Sequence, residues 1–246
     1  MPKRLQVKLE NVSFRYPTMG SFWAKREQDV IHDVSLEINA ADKLGVIGLN
    51  GAGKSTLLQI LGGIVSPSRG RVIRHPGVST SLLALGVGFS PDLNGSDNAI
   101  MSAVLQGMTE REARNLLPAI QEFSELGDAM NQPVRTYSAG MRSRLAFSAA
   151  MHIDVDLILV DEVLAVGDAR FREKARAAML EKLGGDQTVV MVSHSTDQIA
   201  DICDKAIWLH QGRIEVSGDV DNVLATFQQA CVSNESDSHR GLSSGV

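Results

Sequence analysis

Apolar residues recur at every second position at Leu5, Val7 and Leu9, then at Val12, Phe14 and Tyr16, and again at Val34, Leu36 and Ile38. A pleated backbone turns successive side chains to opposite faces, so this period predicts half-buried antiparallel strands. Between them, Pro17 to Asp29 is a polar excursion carrying Phe22 and Trp23, longer than a hairpin loop needs. From Leu44 the pattern changes to short, uninterrupted apolar runs at Leu44–Ile47, Leu157–Val160 and Val189–Val192, each followed by polar or glycine residues and a helical stretch. Such runs suit strands covered on both faces, the condition of a parallel sheet in an α/β protein.

From about residue 97 to 153 the chain has no strand-like run and reads as a helical insert. Thr109 and Glu112 have capping-box spacing, and Leu116, Leu117, Ile120 and Phe123 follow at helical intervals. Residues 1–230 form one domain on this reading, with the insert inside it. Beyond Gln229 the sequence drifts into Ser, Asn, Asp and Gly, and residues 231–246 are expected to form a flexible tail.

The chain has 246 residues, 43% of them apolar, enough for a buried core. No apolar stretch approaches the roughly 18–20 residues of a membrane span, and Met1 to Glu10 offers no secretory core, so a cytoplasmic location is expected. Cys203 and Cys231 are too few and too far apart for a disulfide framework or a zinc site. A formal charge of −5 disfavours nucleic acid as a partner.

Chemistry concentrates where the apolar runs end. Gly48-Leu49-Asn50-Gly51-Ala52-Gly53-Lys54-Ser55-Thr56 follows a buried run and opens a helix containing Leu57, Leu58, Ile60 and Leu61. The spacing fits GxxxxGK[ST], a phosphate-binding loop. Its glycines let the backbone wrap a phosphate, its amides and the helix N-terminus supply positive potential, Lys54 reaches the terminal phosphates, and Ser55 can ligate Mg²⁺. Asp161 and Glu162 end the Leu157–Val160 run, placing two carboxylates at the edge where α/β proteins bind ligands. Asp161 is then a metal-shell residue and Glu162 the base that polarises an attacking water. His194 ends another run on the same edge, within reach of a γ-phosphate. Tyr137-Ser138-Ala139-Gly140-Met141-Arg142 leads into a helix through Leu145, Ala146, Phe147 and Ala150; Ser138 reads as its N-cap, or as part of a second phosphate-binding helix start.

The order of these motifs resembles that of an ATP-binding cassette ATPase, the nucleotide-binding subunit of an ABC transporter, over nearly all of residues 5 to 230. In that family's terms, Walker A is Gly48 to Thr56, the signature is Tyr137 to Met141, Walker B is Leu157 to Glu162, the D-loop is Ala165 to Asp168, and His194 is the switch histidine. The resemblance implies an α/β P-loop NTPase fold with a RecA-like parallel core, an antiparallel β subdomain and a helical subdomain. It also implies ATP and Mg²⁺ as cofactors, and a head-to-tail homodimer in which Ser138 and Gly140 serve the partner's nucleotide. Ala139 stands where most relatives carry a glycine, and Tyr16 stands at the position of the family's adenine-stacking aromatic.

Longer stretches resemble the subfamily that exports capsule, O-antigen or teichoic acid: Gly88 to Asn98, Phe123 to Asp128, Tyr137 to Leu145 and Asp161 to Phe171. That resemblance implies a peripheral ATPase on the cytoplasmic face of the bacterial inner membrane. It would be bound to two copies of a polytopic permease that moves a lipid-linked polysaccharide. Other ABC importers and exporters, and a soluble cassette ATPase, are the competing readings. Between Leu82 and Ser90 the chain lacks the glutamine usual in that loop of the family, so what places magnesium or water there is open; the backbone near Leu85 and Gly86 is a candidate to occupy the space, with no catalytic role assigned to it. The chain also ends too soon for an appended carbohydrate-binding domain. The excursion with Phe22 and Trp23 has two readings: it faces the membrane subunits or the polysaccharide entry, or both rings fold back onto the cassette.

Overall fold

The computed structural model describes residues 4–17, 27–82, 88–161, 167–193 and 195–240. Phe22, Trp23, Leu85, Gly86, Glu162 and His194 lie outside the described residues, as do Ala165 and Val166 of the D-loop stretch. In chain order the elements of the first half are β1 (Leu5–Pro17), β2 (Glu27–Asn39), β3 (Lys43–Ile47), α1 (Lys54–Leu61), β4 (Arg69–Arg74), β5 (Thr80–Leu82), α2 (Gly95–Leu105) and α3 (Glu110–Ser124). They continue with α4 (Ala139–His152), β6 (Leu157–Asp161), α5 (Ala169–Gly184), β7 (Thr188–Val192), α6 (Thr196–Ile202), β8 (Lys205–His210), β9 (Arg213–Asp219) and α7 (Val220–Arg240).

Among the described residues these strands form two sheets. The antiparallel one has the order β2-β1-β4 and the other β5-β6-β7-β3-β8-β9. In the second, every pairing is parallel except that of β9 with β8. The three apolar runs noted in the sequence are β3, β6 and β7, and from Leu157 to Val160 and Thr188 to Val192 every residue is buried. The period-two segments from Leu5 to Tyr16 are one strand rather than two. Leu9 pairs with Leu36 and Val12 with Val34, so β1 spends one extra residue there. Asn11, at φ +50°, takes up that bulge, and its side-chain amide donates to Asp33 at 3.0 Å. One pair further on, β2 carries the extra residue, with Asp33 at φ +53°. The two bulges keep Val7, Leu9, Val12 and Phe14 all buried despite the odd step from 9 to 12.

α1 lies between the two sheets. Its Leu57, Leu58, Ile60 and Leu61 are fully buried against Leu9, Val12 and Ile31 on one side and Leu157, Leu159 and Val190 on the other. Apart from the exposed Ser55 and the half-buried Gln59, every residue of this short helix is buried, which suits its central place. The opposite face of the larger sheet is covered by α4, α5, α6 and α7 through Phe147, Phe171, Met179, Ile199 and Val223.

The stretch expected to be helical over about 97–153 holds α2, α3, two 3₁₀ turns (Gly127–Asn131 and Val134–Thr136) and α4. Thr109 and Glu112 form the reciprocal capping box that starts α3, and those hydrogen bonds hold the Glu112 carboxyl below its usual range. The insert is fastened to the core at the far end of α4, where the half-buried Lys182 ammonium of α5 donates to the carbonyls of Met151 (2.6 Å) and Ile153 (2.7 Å). Burial lowers the pKa of Lys182. Lys182→Met should therefore destabilise the fold by about 1–3 kcal/mol, because two carbonyls at the end of α4 lose their partner. Chemical denaturation checks this, and an unchanged midpoint would show that water replaces the lysine without loss.

Residues 231–240 belong to the last helix, and 241–246 lie outside the described residues. α7 is helical through Arg240. Val220, Val223 and Leu224 are buried and Phe227 packs edge-on to Trp208 at 5.7 Å, so the first turns are anchored. Once nucleated, a helix adds residues at little cost, and polar composition alone does not end it. Among the described residues no helix is long and apolar enough to cross a membrane.

Candidate nucleotide site

The loop between β3 and α1 is shaped by its neighbours. A Cβ on Gly48 would lie 2.2 Å from the carbonyl oxygen of Leu209 in β8, so only glycine allows the loop to lie this close. Gly53 caps α1 in the left-handed region at φ +101°, with a Cβ position 2.8 Å from the Val30 carbonyl. The turn between β8 and β9 stitches the loop to β2: Gly212 donates to Ala52 at 3.0 Å, and its carbonyl accepts from His32 at 2.8 Å. Lys54 is buried and folds back over the loop, its ammonium donating to the carbonyls of Gly48 (2.7 Å) and Leu49 (3.0 Å). α1 has no side-chain N-cap and no acidic residue in its first turn. Its first amides therefore present positive potential to an anion.

These elements open onto a cleft of about 420 Å³. It brings together Asn50, Gly51, Gly53, Lys54, Ser55 and Thr56 from the loop, Tyr16 from β1 and Asp161 from the end of β6. Gly48 and Ala52 form the back of the loop against β8 and the β8–β9 turn. Asp161 pairs with Val192, the last residue of β7, so this carboxylate stands at the C-terminal edge of the parallel sheet. Tyr16 is partly exposed and makes a T-shaped contact with Phe14 at a centroid distance of 4.8 Å and an interplanar angle of 86°. Gln28, Val30 and Val192 also line the cleft. The motifs do not point to these three; only the pairing of Tyr16 with Gln28 across β1 and β2 brings the first of them here.

Ser55 and Asp161 supply hard oxygen donors in the same cleft, too few for an all-protein cage. Such a pair fits Mg²⁺, which keeps water and phosphate oxygens in its shell.

Ser138 and Gly140 do not line this cleft. Ser138 caps α4, accepting from the Met141 amide at 3.1 Å. Tyr137 behind it is buried, its hydroxyl donates to the Ala129 carbonyl, and burial raises its pKa. Gly140 differs from Gly48 and Gly53: a Cβ there would meet nothing nearer than Ser138 Oγ at 3.8 Å, so its own chain leaves room for a side chain. Asp168 caps α5 by accepting from Phe171 at 2.9 Å.

Residues 31–165 match the ABC transporter family. The teichoic acids export ATP-binding protein TagH of Listeria innocua is 39% identical over 211 residues, 86% of this chain and 61% of that protein. The O-antigen export system ATP-binding protein RfbB of Klebsiella pneumoniae is 36% identical over 205 residues, 83% of each chain. The chain thus spans about six-tenths of the length of the Listeria relative. A dimeric ATP-binding cassette solved in a post-hydrolysis state with ADP and Pi superposes with a TM-score of 0.69 at 23% identity, covering 87% of this chain and 98% of that one. An ATP-binding subunit of an ABC transporter superposes at 0.71 with 21% identity, covering 91% and 93%. Both solved structures share the fold, a parallel core with an antiparallel sheet and a helical insert, and the chain belongs to the ABC transporter family.

Proposed function

We propose that the chain is the ATP-binding and ATP-hydrolysing subunit of an ABC transporter that exports a cell-surface polysaccharide of capsular, O-antigen or teichoic-acid type. The observation that carries the proposal is the cleft itself. It joins an uncapped helix start, a lysine, a metal-ligating hydroxyl and carboxylate, and an aromatic ring, the separate needs of phosphate, Mg²⁺ and base. Lys54 and the loop amides hold the β- and γ-phosphates, Ser55 and Asp161 hold the magnesium, and Tyr16 stacks on the adenine. Glu162, next in the chain after Asp161, polarises the attacking water, and His194 contacts the γ-phosphate. The relatives' names support the export of a polysaccharide.

The working unit on this reading is a homodimer in which the α4 start of one copy closes the other copy's cleft. Gly140, with no intrachain demand for glycine, supports it. The dimer sits on the cytoplasmic face of the inner membrane, bound to two copies of a permease that carries the lipid-linked glycan. ATP favours the closed dimer because it binds that state better, and hydrolysis releases it.

Gly140→Leu tests the dimer directly. A leucine here meets open space in the free chain, so the melting temperature should hold. ATP-driven dimerisation should be lost and turnover should fall about tenfold through steric conflict with the second copy. Light scattering and phosphate release read the two effects, and a fully active Gly140→Leu protein would dismiss the paired site. For the substrate, deletion of the gene should leave undecorated glycan inside the cell; normal surface glycan would rule export out.

A further inference from the structure

The phenol of Tyr16 is held at its tip as well as its side. Its hydroxyl donates to the side-chain carbonyl of Gln59 at 3.1 Å and lies 3.4 Å from the hydroxyl of Thr56. Gln59 stands one turn beyond Thr56 on α1, so the two polar groups share one helix face. That helix begins with Lys54 and Ser55. It is itself pinned at its other end, where the Arg74 guanidinium of β4 donates to the carbonyls of Leu61 (2.6 Å) and Ile60 (2.8 Å). With Phe14 in T-shaped contact beside it and Gln59 at its tip, the ring has two fixed points before any ligand enters.

From this geometry we infer that Gln59 is a positioning residue for nucleotide binding: it ties the base platform on β1 to the helix that carries the phosphate cradle. The inference rests on the proposed role of Tyr16 as that platform. Gln59 does not touch the nucleotide. It acts by removing the rotational freedom that Tyr16 would otherwise lose on stacking, so its effect falls on ligands that carry a base.

The experiment measures the affinity of the intact chain for ATP and for inorganic tripolyphosphate, in the parent protein and in Gln59→Leu, Tyr16→Phe, the double variant and Tyr16→Ala. Gln59→Leu and Tyr16→Phe break the same hydrogen bond from opposite ends. Each should weaken ATP about threefold to tenfold, the range of a single net hydrogen bond. The double variant should be no worse than either single one, and tripolyphosphate affinity should not move. An additive double variant, or an equal loss for tripolyphosphate, would overturn the inference by making the effect structural. If Gln59→Leu fails to fold, Gln59→Met breaks the same bond and leaves the contact with Thr56 in place. Tyr16→Ala separates the two levels. Weak ATP binding in Tyr16→Ala with normal binding in Gln59→Leu and Tyr16→Phe overturns the tether and leaves the platform standing. Unchanged ATP affinity in Tyr16→Ala overturns both.

Discussion

A Glu162→Gln protein is expected to bind ATP as tightly as its parent and to hydrolyse it about 10²–10⁴-fold more slowly, the usual contribution of a positioned general base. The residue follows Asp161, which leaves β6 into the cleft beside the end of β7. A carboxylate in the base role can take the proton of the attacking water, whereas an amide of the same shape keeps the volume but cannot. The ATP-bound dimer should therefore accumulate in the variant. Affinity and single-turnover rate, measured on the same preparation, check the two halves of the expectation. Rapid hydrolysis would remove Glu162 from the base role and leave the cleft's binding function intact.

Lys54→Ala should act on binding, weakening ATP by about 10²–10³-fold, since a charged donor to phosphate contributes about 1.5–3 kcal/mol per hydrogen bond. The location of the ammonium explains why no neighbour substitutes for it. It is buried at the centre of its own loop and already bonds to Gly48 and Leu49. Removing it also frees those two carbonyls and loosens the curve that aims the loop amides at a ligand. Equilibrium titration with ATP gives the affinity, and near-normal binding would assign the phosphates to another group.

Much of this site was readable from local pattern. The phosphate loop announces itself because its conformation has local requirements: glycine where the backbone presses on a neighbour, a lysine at a set distance, and an apolar run before it. Glu112 and Ser138 were legible for the same reason, since a cap acts within three residues. The partners of Tyr16 were not. Gln59 looks like any polar residue on a helix, and only the folded chain brings it against a phenol from a residue 43 positions earlier. β8 was also missed, although its Ile207 and Leu209 are buried, because a strand of six residues with Lys205 and His210 at its ends gives a weak signal.

Spacing and composition thus sufficed for the glycine-rich loop, the three buried parallel strands and the helical insert, because each depends on interactions a few residues long. Folding settled which of them meet. Sheet order puts β6 beside β7 and β7 beside β3, and that brings Asp161 into the same cleft as Ser55. The paired bulges at Asn11 and Asp33 keep β1 in register so that Tyr16 arrives over α1. Contacts between residues tens to more than a hundred positions apart leave no period in the chain. They arise from packing two sheets around one buried helix.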